Sequence, residues 1–381
     1  MPEKSPCNHA AKSSLAASDF FDSRRKSQLR RSLANWFEKN KRRLPWRTNS
    51  TPYRIWISEV MLQQTQVATV IDYYRRFMKR FPNVRALAAA EEEEVLKLWE
   101  GLGYYRRARQ LHAAAKQVVE NHRGRFPTDF EAVLALPGIG RYTAGAILSI
   151  ALDQQHPILE GNTQRLFARL SGHEEDISTS DSQKWLWQFS ESLLPKSKVG
   201  DFNQALMELG ALVCTPTRPN CDRCPLKSVC ISRIEDKVGR VPVKKSKTKY
   251  EDLSESVVLL ETNNRFLVRR CAEGERWAGL FDFPRFDITH TEDDPREFLE
   301  QAMLSQYGIE LQLKSTKIEF KHAVTRFRIR LSCYRNVSKI GEQKRNLPTD
   351  SKWVHRNRLR ELAFNVTARK IADQLDDLNL D

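Results

Sequence analysis

Apolar positions recur at helical spacing over most of the first 230 residues and alternate strictly only in the last third of the chain. Five early segments predict helices, namely residues 30–41, 52–74, 84–87, 95–99 and 108–119. Further on, residues 256–260 and 265–269 predict two strands joined by Asn263-Asn264, and residues 294–307 predict a helix. Residues 320–333 alternate apolar with basic side chains, which predicts one half-buried strand.

Composition divides the chain into four parts. Residues 1–27 are polar and poor in aromatic side chains, which predicts a disordered N-terminus. Residues 28–232 form the predicted α domain, and residues 233–250 include a basic, proline-containing run that predicts an extended linker. Residues 251–381 form the smaller α+β domain. The predicted fold is therefore mostly α, followed by α+β.

Charge and hydropathy indicate which kinds of partner the chain can bind. The chain has 381 residues, a net charge of +15 and a pI near 9.5, which favours nucleic acid or another anionic surface. No apolar run has the length of a membrane span, and the N-terminus lacks a signal peptide. We therefore expect a cytoplasmic protein, nucleoid-associated if bacterial, without a membrane partner.

The stretch from Leu134 to Asn162, LALPGIGRYTAGAILSIALDQQHPILEGN, joins two predicted helices through a tight turn. Pro137 ends the first helix, and Gly138 and Gly140 permit backbone angles that other residues avoid. Bare amides at the start of the next helix form an anion site, and DNA phosphate is the anion that a basic chain favours. The string LPGIGRYTA resembles a helix-hairpin-helix motif; an ordinary helix corner is the alternative.

Four of the seven cysteines fall within 17 residues, with the spacing C-x6-C-x2-C-x5-C. Four thiolates this close suit either a 4Fe–4S cluster or zinc. The uneven spacing resembles the cluster loop of the endonuclease III superfamily of DNA glycosylases, so iron–sulfur is favoured, with zinc as the alternative. The expected ligands are Cys214, Cys221, Cys224 and Cys230.

Two strings resemble the MutY family of adenine DNA glycosylases: WISEVMLQQTQV from Trp56, and GLGYY from Gly101. In bifunctional relatives a lysine two residues after the second hairpin glycine forms a Schiff base with the sugar. Tyr142 occupies that position here, which implies a monofunctional enzyme. The resemblance implies hydrolysis of the N-glycosidic bond of adenine mispaired with 8-oxoguanine or guanine, by a monomer acting on double-stranded DNA in base-excision repair.

The family pattern also implies the catalytic residues. Glu59 matches the family's proton donor, on an apolar helix face where burial would raise its pKa. Glu160 stands where the family has aspartate in ILDGN, and we expect it to stabilise or attack the positive sugar as in retaining glycosidases. Tyr142 and Asn162 are expected to orient Glu160. For each of these residues, ordinary surface pairing or packing is the alternative.

Further family positions imply contacts with DNA, since adenine must leave the stack before it can react. Gln64 and Tyr104 match residues that wedge into the duplex. Trp46 and Arg47 resemble residues that line the base pocket, although Trp46 would equally suit the core and Arg47 a phosphate contact.

The C-terminal part resembles, more loosely, the Nudix-like fold with which the family inspects 8-oxoguanine. It lacks the paired glutamates that hold magnesium in a Nudix hydrolase, which argues against a pyrophosphatase. A Phe-Ser-His loop of the family aligns with Val324-Thr325-Arg326, so Thr325 and Arg326 are the expected lesion contacts. Two other functions stay open: a glycosylase for another mispaired base, and a lesion-binding homologue with impaired catalysis.

Overall fold

The computed structural model describes residues 17, 19–244, 249–291, 294–338 and 347–375. The chain forms two compact units. One comprises Met1–Arg85 and Ala113–Ser246, and the other comprises Ala86–His112 and Lys247–Asp381. This division differs from the predicted one, in which residues 28–232 form a single domain, because the segment 86–112 groups with the C-terminal half.

Helices dominate the first 234 residues. Their bounds are α1 Ser23–Asn40, α2 Pro52–Leu62, α3 Val67–Arg80, α4 Val84–Ala88, α5 Glu92–Trp99, α6 Arg106–His122, α7 Phe130–Leu134, α8 Arg141–Leu152, α9 Gly161–Ser171, α10 Ser180–Ser192, α11 Val199–Leu212 and α12 Ile231–Ile234. Helix α2 is buried on every side from Ile55 to Met61, which is typical of a central core helix. It packs against α8, which in turn packs against α11. Within the described residues, no helix has the length and apolar character needed to cross a membrane.

Residues 23–27, which the sequence placed in a disordered N-terminus, belong to helix α1. Helix α1 begins at Ser23, where the Asp22 carboxylate caps it by accepting the Arg25 amide at 2.7 Å. Phe21 is buried and packs edge-on against Phe189. Residues 1–16 and 18 lie outside the described residues.

The single helix predicted over residues 52–74 is wrong, because α2 ends at Leu62 and α3 begins at Val67. Between them Gln64 adopts a left-handed backbone with φ of 56°. The break contains neither glycine nor proline, so the apolar periodicity runs through it without a sequence signal. It places the glutamine side chains of this segment at a corner and not along a helix.

In its described residues, the C-terminal part of the second unit contains two four-stranded sheets and two α-helices. The strands are β1 Glu251–Leu259, β2 Glu261–Thr262, β3 Arg265–Arg270, β4 Phe281–Asp282, β5 Arg285–Asp287, β6 Leu313–Val324, β7 Phe327–Asn336 and β8 Ser351–His355, and the helices are α13 Arg296–Tyr307 and α14 Val366–Gln374. One sheet has the order β5-β1-β7-β6; in the other, β3 pairs with β2, β4 and β8. Among the strand pairs in the part of the chain that the structure describes, β1 and β7 run parallel and the others run antiparallel.

The single strand predicted over residues 320–333 is also wrong. It is a hairpin, in which Val324 of β6 pairs with Phe327 of β7 across the turn residues Thr325 and Arg326. Thr325 has φ of 54°, as tight turns require. Because Val324 and Phe327 pair across the turn, they face the same side of the sheet, so the more buried positions shift from even numbers in residues 318–324 to odd numbers in residues 327–331. Each strand alternates by itself, and a break of only two residues makes the pattern resemble that of one strand.

A buried carboxylate ties α11 to the segment that follows α1. Glu208 is 1% exposed and receives the guanidinium of Arg42 at 2.8 Å and that of Arg47 at 3.1 Å. Burial alone would raise the pKa of Glu208, but the hydrogen bonds from both arginines outweigh it and lower the pKa to about 2. The segment that carries Trp46 and Arg47 is thereby fixed against α11.

We expect Glu208→Gln to lower the free energy of unfolding at pH 7 by about 3 kcal/mol, since it leaves two arginines without their buried counter-charge. The folded pKa lies below the unfolded value, so the carboxylate stabilises the fold above pH 4.5 and loses this effect as the pH falls towards 2. Urea unfolding across this range measures the difference. Glu191→Gln, at an exposed position, is the control, and an equal loss at pH 3 and pH 7 would contradict the assignment.

Candidate active site

Glu59 lies on α2 and Tyr142 lies in the first turn of α8, so the packing of these two helices brings them together. The Tyr142 hydroxyl donates a hydrogen bond to Glu59 Oε2 at 2.6 Å. Burial raises the pKa of Glu59 to about 7, although this hydrogen bond and the charge of Arg47 act to lower it. The Glu59 carboxyl therefore keeps its proton up to a pH of about 7, well above the ordinary range of a glutamate.

Glu160 is the N-cap residue of α9. Its Oε1 accepts the Thr163 amide at 2.9 Å, while its Oε2 accepts the Asn162 amide at 2.8 Å and Asn162 Nδ2 at 3.2 Å. The Glu160 amide in turn donates to the Thr163 hydroxyl at 2.8 Å, which completes a capping box. Burial raises the pKa of Glu160, and the two backbone amides oppose that rise. The carboxylate is thus fixed by three N–H donors.

Tyr142 differs from the expectation that it orients Glu160. Its hydroxyl donates to Glu59, while Asn162 contacts Glu160 as expected. Burial and the charges of Glu59 and Glu160 together raise the pKa of Tyr142 far above its ordinary value, so the phenol stays a donor. The charge of Glu160 also contributes to the raised pKa of Glu59. These three side chains therefore lie within electrostatic range of one another.

Arg165 is a site residue that the sequence analysis missed. Its Nη2 donates to Asn162 Oδ1 at 2.9 Å and to the Gly210 carbonyl at 2.8 Å, and its Nε donates to the Cys214 carbonyl at 2.7 Å. These bonds fix the amide that contacts Glu160. The spacing to Asn162, three residues on one helix face, was the available signal.

Trp46 and Arg47 both contact protein groups in this structure. Trp46 is 5% exposed and stands edge-on to Tyr74 at 5.4 Å between ring centroids. The Arg47 guanidinium contacts Glu208 and donates to Gln204 Oε1 at 3.0 Å. Both side chains are directed to protein groups.

Gln64 and Tyr104 share two features: both are exposed, and both have left-handed backbones, with φ of 56° and 48°. Such conformations cost non-glycine residues about 1–3 kcal/mol and cluster at functional sites. Tyr104 exposes 49% of its surface, which is unusual for a tyrosine in an ordered loop.

The glycine turn before α8 has the geometry of an anion site. Gly138 has φ of 76°, and Ile139 donates its amide to the Leu136 carbonyl at 3.1 Å. Gly140 is the N-cap residue of α8, and nothing lies within 4 Å of the position that a β-carbon would take there. The first amides of α8 have no acceptor one turn earlier, and a phosphate can approach them without hindrance.

Thr325 and Arg326 form the β6–β7 turn. The Thr325 hydroxyl donates to the Val324 carbonyl at 2.7 Å, and Arg326 pairs with Glu251 at 3.1 Å. Both members of that pair are more than half exposed, so the guanidinium is free to exchange Glu251 for a ligand in solution.

The four clustered cysteines are free thiols that lie within electrostatic range of one another. The Leu226 amide donates to the Cys224 sulfur, and the amides of Ser232 and Arg233 donate to the Cys230 sulfur. Amides directed at sulfur suit thiolate ligands. Among the residues that the structure describes, no group of three or more His, Cys, Asp or Glu side chains has the arrangement that holds a metal ion.

Comparison with protein families gives matches to two separate stretches of the chain. A family model described as "HhH-GPD superfamily base excision DNA repair protein" matches residues 57–192, and a NUDIX domain model matches residues 256–374. The solved structure of a thermostable thymine-DNA glycosylase is 28% identical, covers 56% of this chain and 98% of its own, and superposes with a TM-score of 0.52.

Comparison with curated proteins gives one consistent activity. The adenine DNA glycosylase of Buchnera aphidicola subsp. Schizaphis graminum is 41% identical over 256 residues, which are 67% of this chain and 74% of that protein. The adenine DNA glycosylase of Rattus norvegicus is 48% identical over 221 residues, or 56% of this chain and 42% of that protein. The predicted fold class and family are thus confirmed, and the chain belongs to the adenine DNA glycosylases of base-excision repair.

Proposed function

We propose that this glycosylase removes adenine paired with 8-oxoguanine or guanine by a two-carboxylate mechanism. The observation that carries the proposal is the 2.6 Å hydrogen bond between buried Tyr142 and Glu59, with the fixed carboxylate of Glu160 in electrostatic range. One carboxyl is held protonated and the other is held by N–H donors, which is the division of roles that glycosidic bond cleavage needs.

Glu59 acts as the general acid. It donates its proton to ring nitrogen 7 of adenine, so that the electron pair of the breaking N-glycosidic bond leaves with a neutral base. Tyr142 holds the carboxyl in place through its hydroxyl. The deprotonated Glu59 then accepts a proton from the water that hydrolyses the sugar intermediate.

Glu160 meets the positive sugar. Its carboxylate stabilises the oxocarbenium-like centre or forms a bond to the anomeric carbon, which water later breaks with retention of configuration. The amides of Asn162 and Thr163 fix both oxygens, so the longer side chain has a defined position. These amide bonds support a catalytic role for glutamate at the position where the family pattern has aspartate.

DNA binding involves several parts of the chain. The amides after Gly138 and Gly140 receive a phosphate. Gln64 and Tyr104 enter the duplex as adenine leaves the stack, since both are exposed in strained backbone conformations. The contacts of Trp46 and Arg47 favour a supporting role behind the base pocket. Thr325 and Arg326 touch the lesion through their hydroxyl and guanidinium groups.

Cys214, Cys221, Cys224 and Cys230 would hold a 4Fe–4S cluster. The free thiols and the amides directed at two of the sulfurs support thiolate ligation. A cluster is wider than a single ion, so its ligands need not converge on one point. When bound, it supplies a cross-link between the end of α11 and α12. Arg169 donates to the Cys214 sulfur at 3.4 Å, which anchors the loop to α9.

The direct test is single-turnover release of adenine from duplexes with A:8-oxoguanine or A:G, with T:G as the alternative substrate. We expect release from the first two only, and a loss of at least about a hundredfold in Glu59→Gln, since a general acid contributes roughly 10² to 10⁴. Glu160→Asp should keep more activity than Glu160→Gln, because it retains the charge and the cap. Glu191→Gln is the surface control. Base release from T:G, or a Glu160→Gln variant as fast as the wild type, would refute this part of the proposal.

The pH profile tests the role of Tyr142. Release should be low in acid, where Glu160 is protonated, increase as that carboxylate forms, and fall as the pH rises through about 7, where Glu59 loses its proton. Tyr142→Phe removes a hydrogen bond that lowers the pKa of Glu59, so the midpoint of the fall should move to higher pH. Tyr53→Phe, on the helix that carries Glu59, removes a buried hydroxyl that donates to the Phe81 carbonyl. It should leave the midpoint unchanged. A midpoint that stays or moves down in Tyr142→Phe contradicts the role.

Metal analysis tests the cluster. Purified protein should contain about four irons per chain together with acid-labile sulfide. Cys224→Ser should lose most of the iron and the visible absorbance, while Cys271→Ser, at a buried cysteine outside the loop, should retain both. One zinc per chain without iron would decide for the alternative.

A further inference from the structure

The loop between α5 and α6 holds a strained backbone without regular secondary structure. Gly101 and Gly103 have φ of 92° and 75°, and Tyr104 has φ of 48° while it exposes half of its surface. A tyrosine persists in this conformation only where neighbouring groups over-determine it. The contacts at the two ends of the loop therefore decide where the Tyr104 side chain stands.

Arg107 and Trp99 fix the Tyr104 end of the loop from within. Arg107 Nη2 and Trp99 Nε1 each donate to the Gly103 carbonyl at 3.1 Å. The Arg107 guanidinium lies 5.4 Å from the ring centroids of both Trp99 and Tyr104. The Tyr105 hydroxyl accepts the Gly101 amide at 3.1 Å, which closes the loop on itself.

Glu100, the residue that follows α5, forms hydrogen bonds with Arg369 of α14. Arg369 of α14 donates through Nε to Glu100 Oε1 at 2.5 Å and through Nη2 to Oε2 at 3.2 Å. Lys97 donates to the same Oε2 at 2.8 Å. Arg369 and Lys97 also share the Leu362 carbonyl, at 2.6 and 2.9 Å. Both carboxylate oxygens and both cations are therefore engaged in one closed network.

This network is unlike an ordinary surface ion pair. The side chains of Glu100 and Arg369 are 13% and 18% exposed, and the arginine is bidentate, so geometry and partial burial both strengthen the link. Arg270 and Glu92 make a second link between α5 and β3, at 3.5 Å. The last turn of α5 is thus positioned by residues nearly 270 positions away in the sequence.

We propose that Arg369 is a positioning residue for Tyr104: through Glu100 it fixes the loop whose tyrosine enters the duplex. The inference rests on the proposed role of Tyr104 in DNA binding and adds a second task to the C-terminal part of the chain. That part reads the lesion with its β6–β7 turn, and with α14 it also holds a DNA-contacting loop of the helical part in its working conformation.

The test measures single-turnover adenine release from an A:8-oxoguanine duplex by Arg369→Met and by the isosteric Glu100→Gln. Each should slow release about tenfold, less than the roughly hundredfold that a 1 Å misplacement at a reacting centre can cost. In a Tyr104→Ala background neither substitution should slow release further, because the side chain that they position is gone. Fluorescence of 2-aminopurine beside the mispair should report weaker unstacking in the same variants. The matched control is Arg358→Met, which breaks the exposed pair with Glu361 and should change nothing.

The outcomes separate the two claims. If Tyr104→Ala releases adenine as fast as the wild type, the proposed role of Tyr104 fails and the positioning role fails with it. If Tyr104→Ala is slow but the losses from Arg369→Met add to it in full, the positioning role alone is refuted. Should Arg369→Met fail to fold, Glu100→Gln decides: a wild-type rate and wild-type fluorescence refute the proposal, and a loss that vanishes with Tyr104→Ala supports it.

Discussion

One buried hydrogen bond, from the Tyr142 hydroxyl to Glu59 Oε2, depends on how the helices of the first unit pack against one another. It requires α2 to be apolar on all sides, so that the Glu59 carboxyl is dry and keeps its proton. It also requires α8 to pack closely against α2. Gly145 makes room on that helix, since a β-carbon there would lie 2.6 Å from the Pro157 carbonyl. The segment that passes Gly145 leads directly to Glu160. The packing of α8 against α2 therefore places Tyr142 beside Glu59, and the separate close passage of Pro157 at Gly145 brings Glu160 into the same neighbourhood.

The two carboxyl groups differ because their surroundings differ. Glu59 accepts a hydrogen bond from Tyr142, which lowers its pKa, but burial has the larger effect. The pKa of Glu59 therefore rises to about 7. Glu160 is also buried, but it caps a helix and accepts two backbone amides and a side-chain amide. Helix N-termini favour negative charge. An acid and an anion arise from the same residue type, as glycoside chemistry requires.

The boundaries seen by family comparison and by packing do not coincide. The helix-hairpin-helix family match spans residues 57–192 without a gap, yet the segment 86–112 within it belongs to the same compact unit as the C-terminal half. Polar contacts that join this segment to the rest of the second unit include those of Arg369, Glu100 and Lys97. Such contacts leave no trace in a hydrophobic pattern, because charged residues on a helix surface resemble solvated ones.

Local sequence determined the fold class, the family and the identities of the candidate residues. Glycines at 138 and 140, the four-cysteine spacing and the strings around Glu59 and Tyr104 are short motifs whose geometry is set by neighbouring residues. Tertiary structure decided the rest. It broke the helix after Leu62, turned the chain at Thr325, buried Trp46 against Tyr74 and gave the Tyr142 hydroxyl to Glu59. It also paired Arg369 with Glu100 and directed Arg165 to the Cys214 carbonyl, contacts between residues distant in sequence. The reason is physical: periodicity and motifs encode contacts within a few turns of chain, whereas hydrogen-bond partners, burial and the pKa shifts that follow depend on which helices meet.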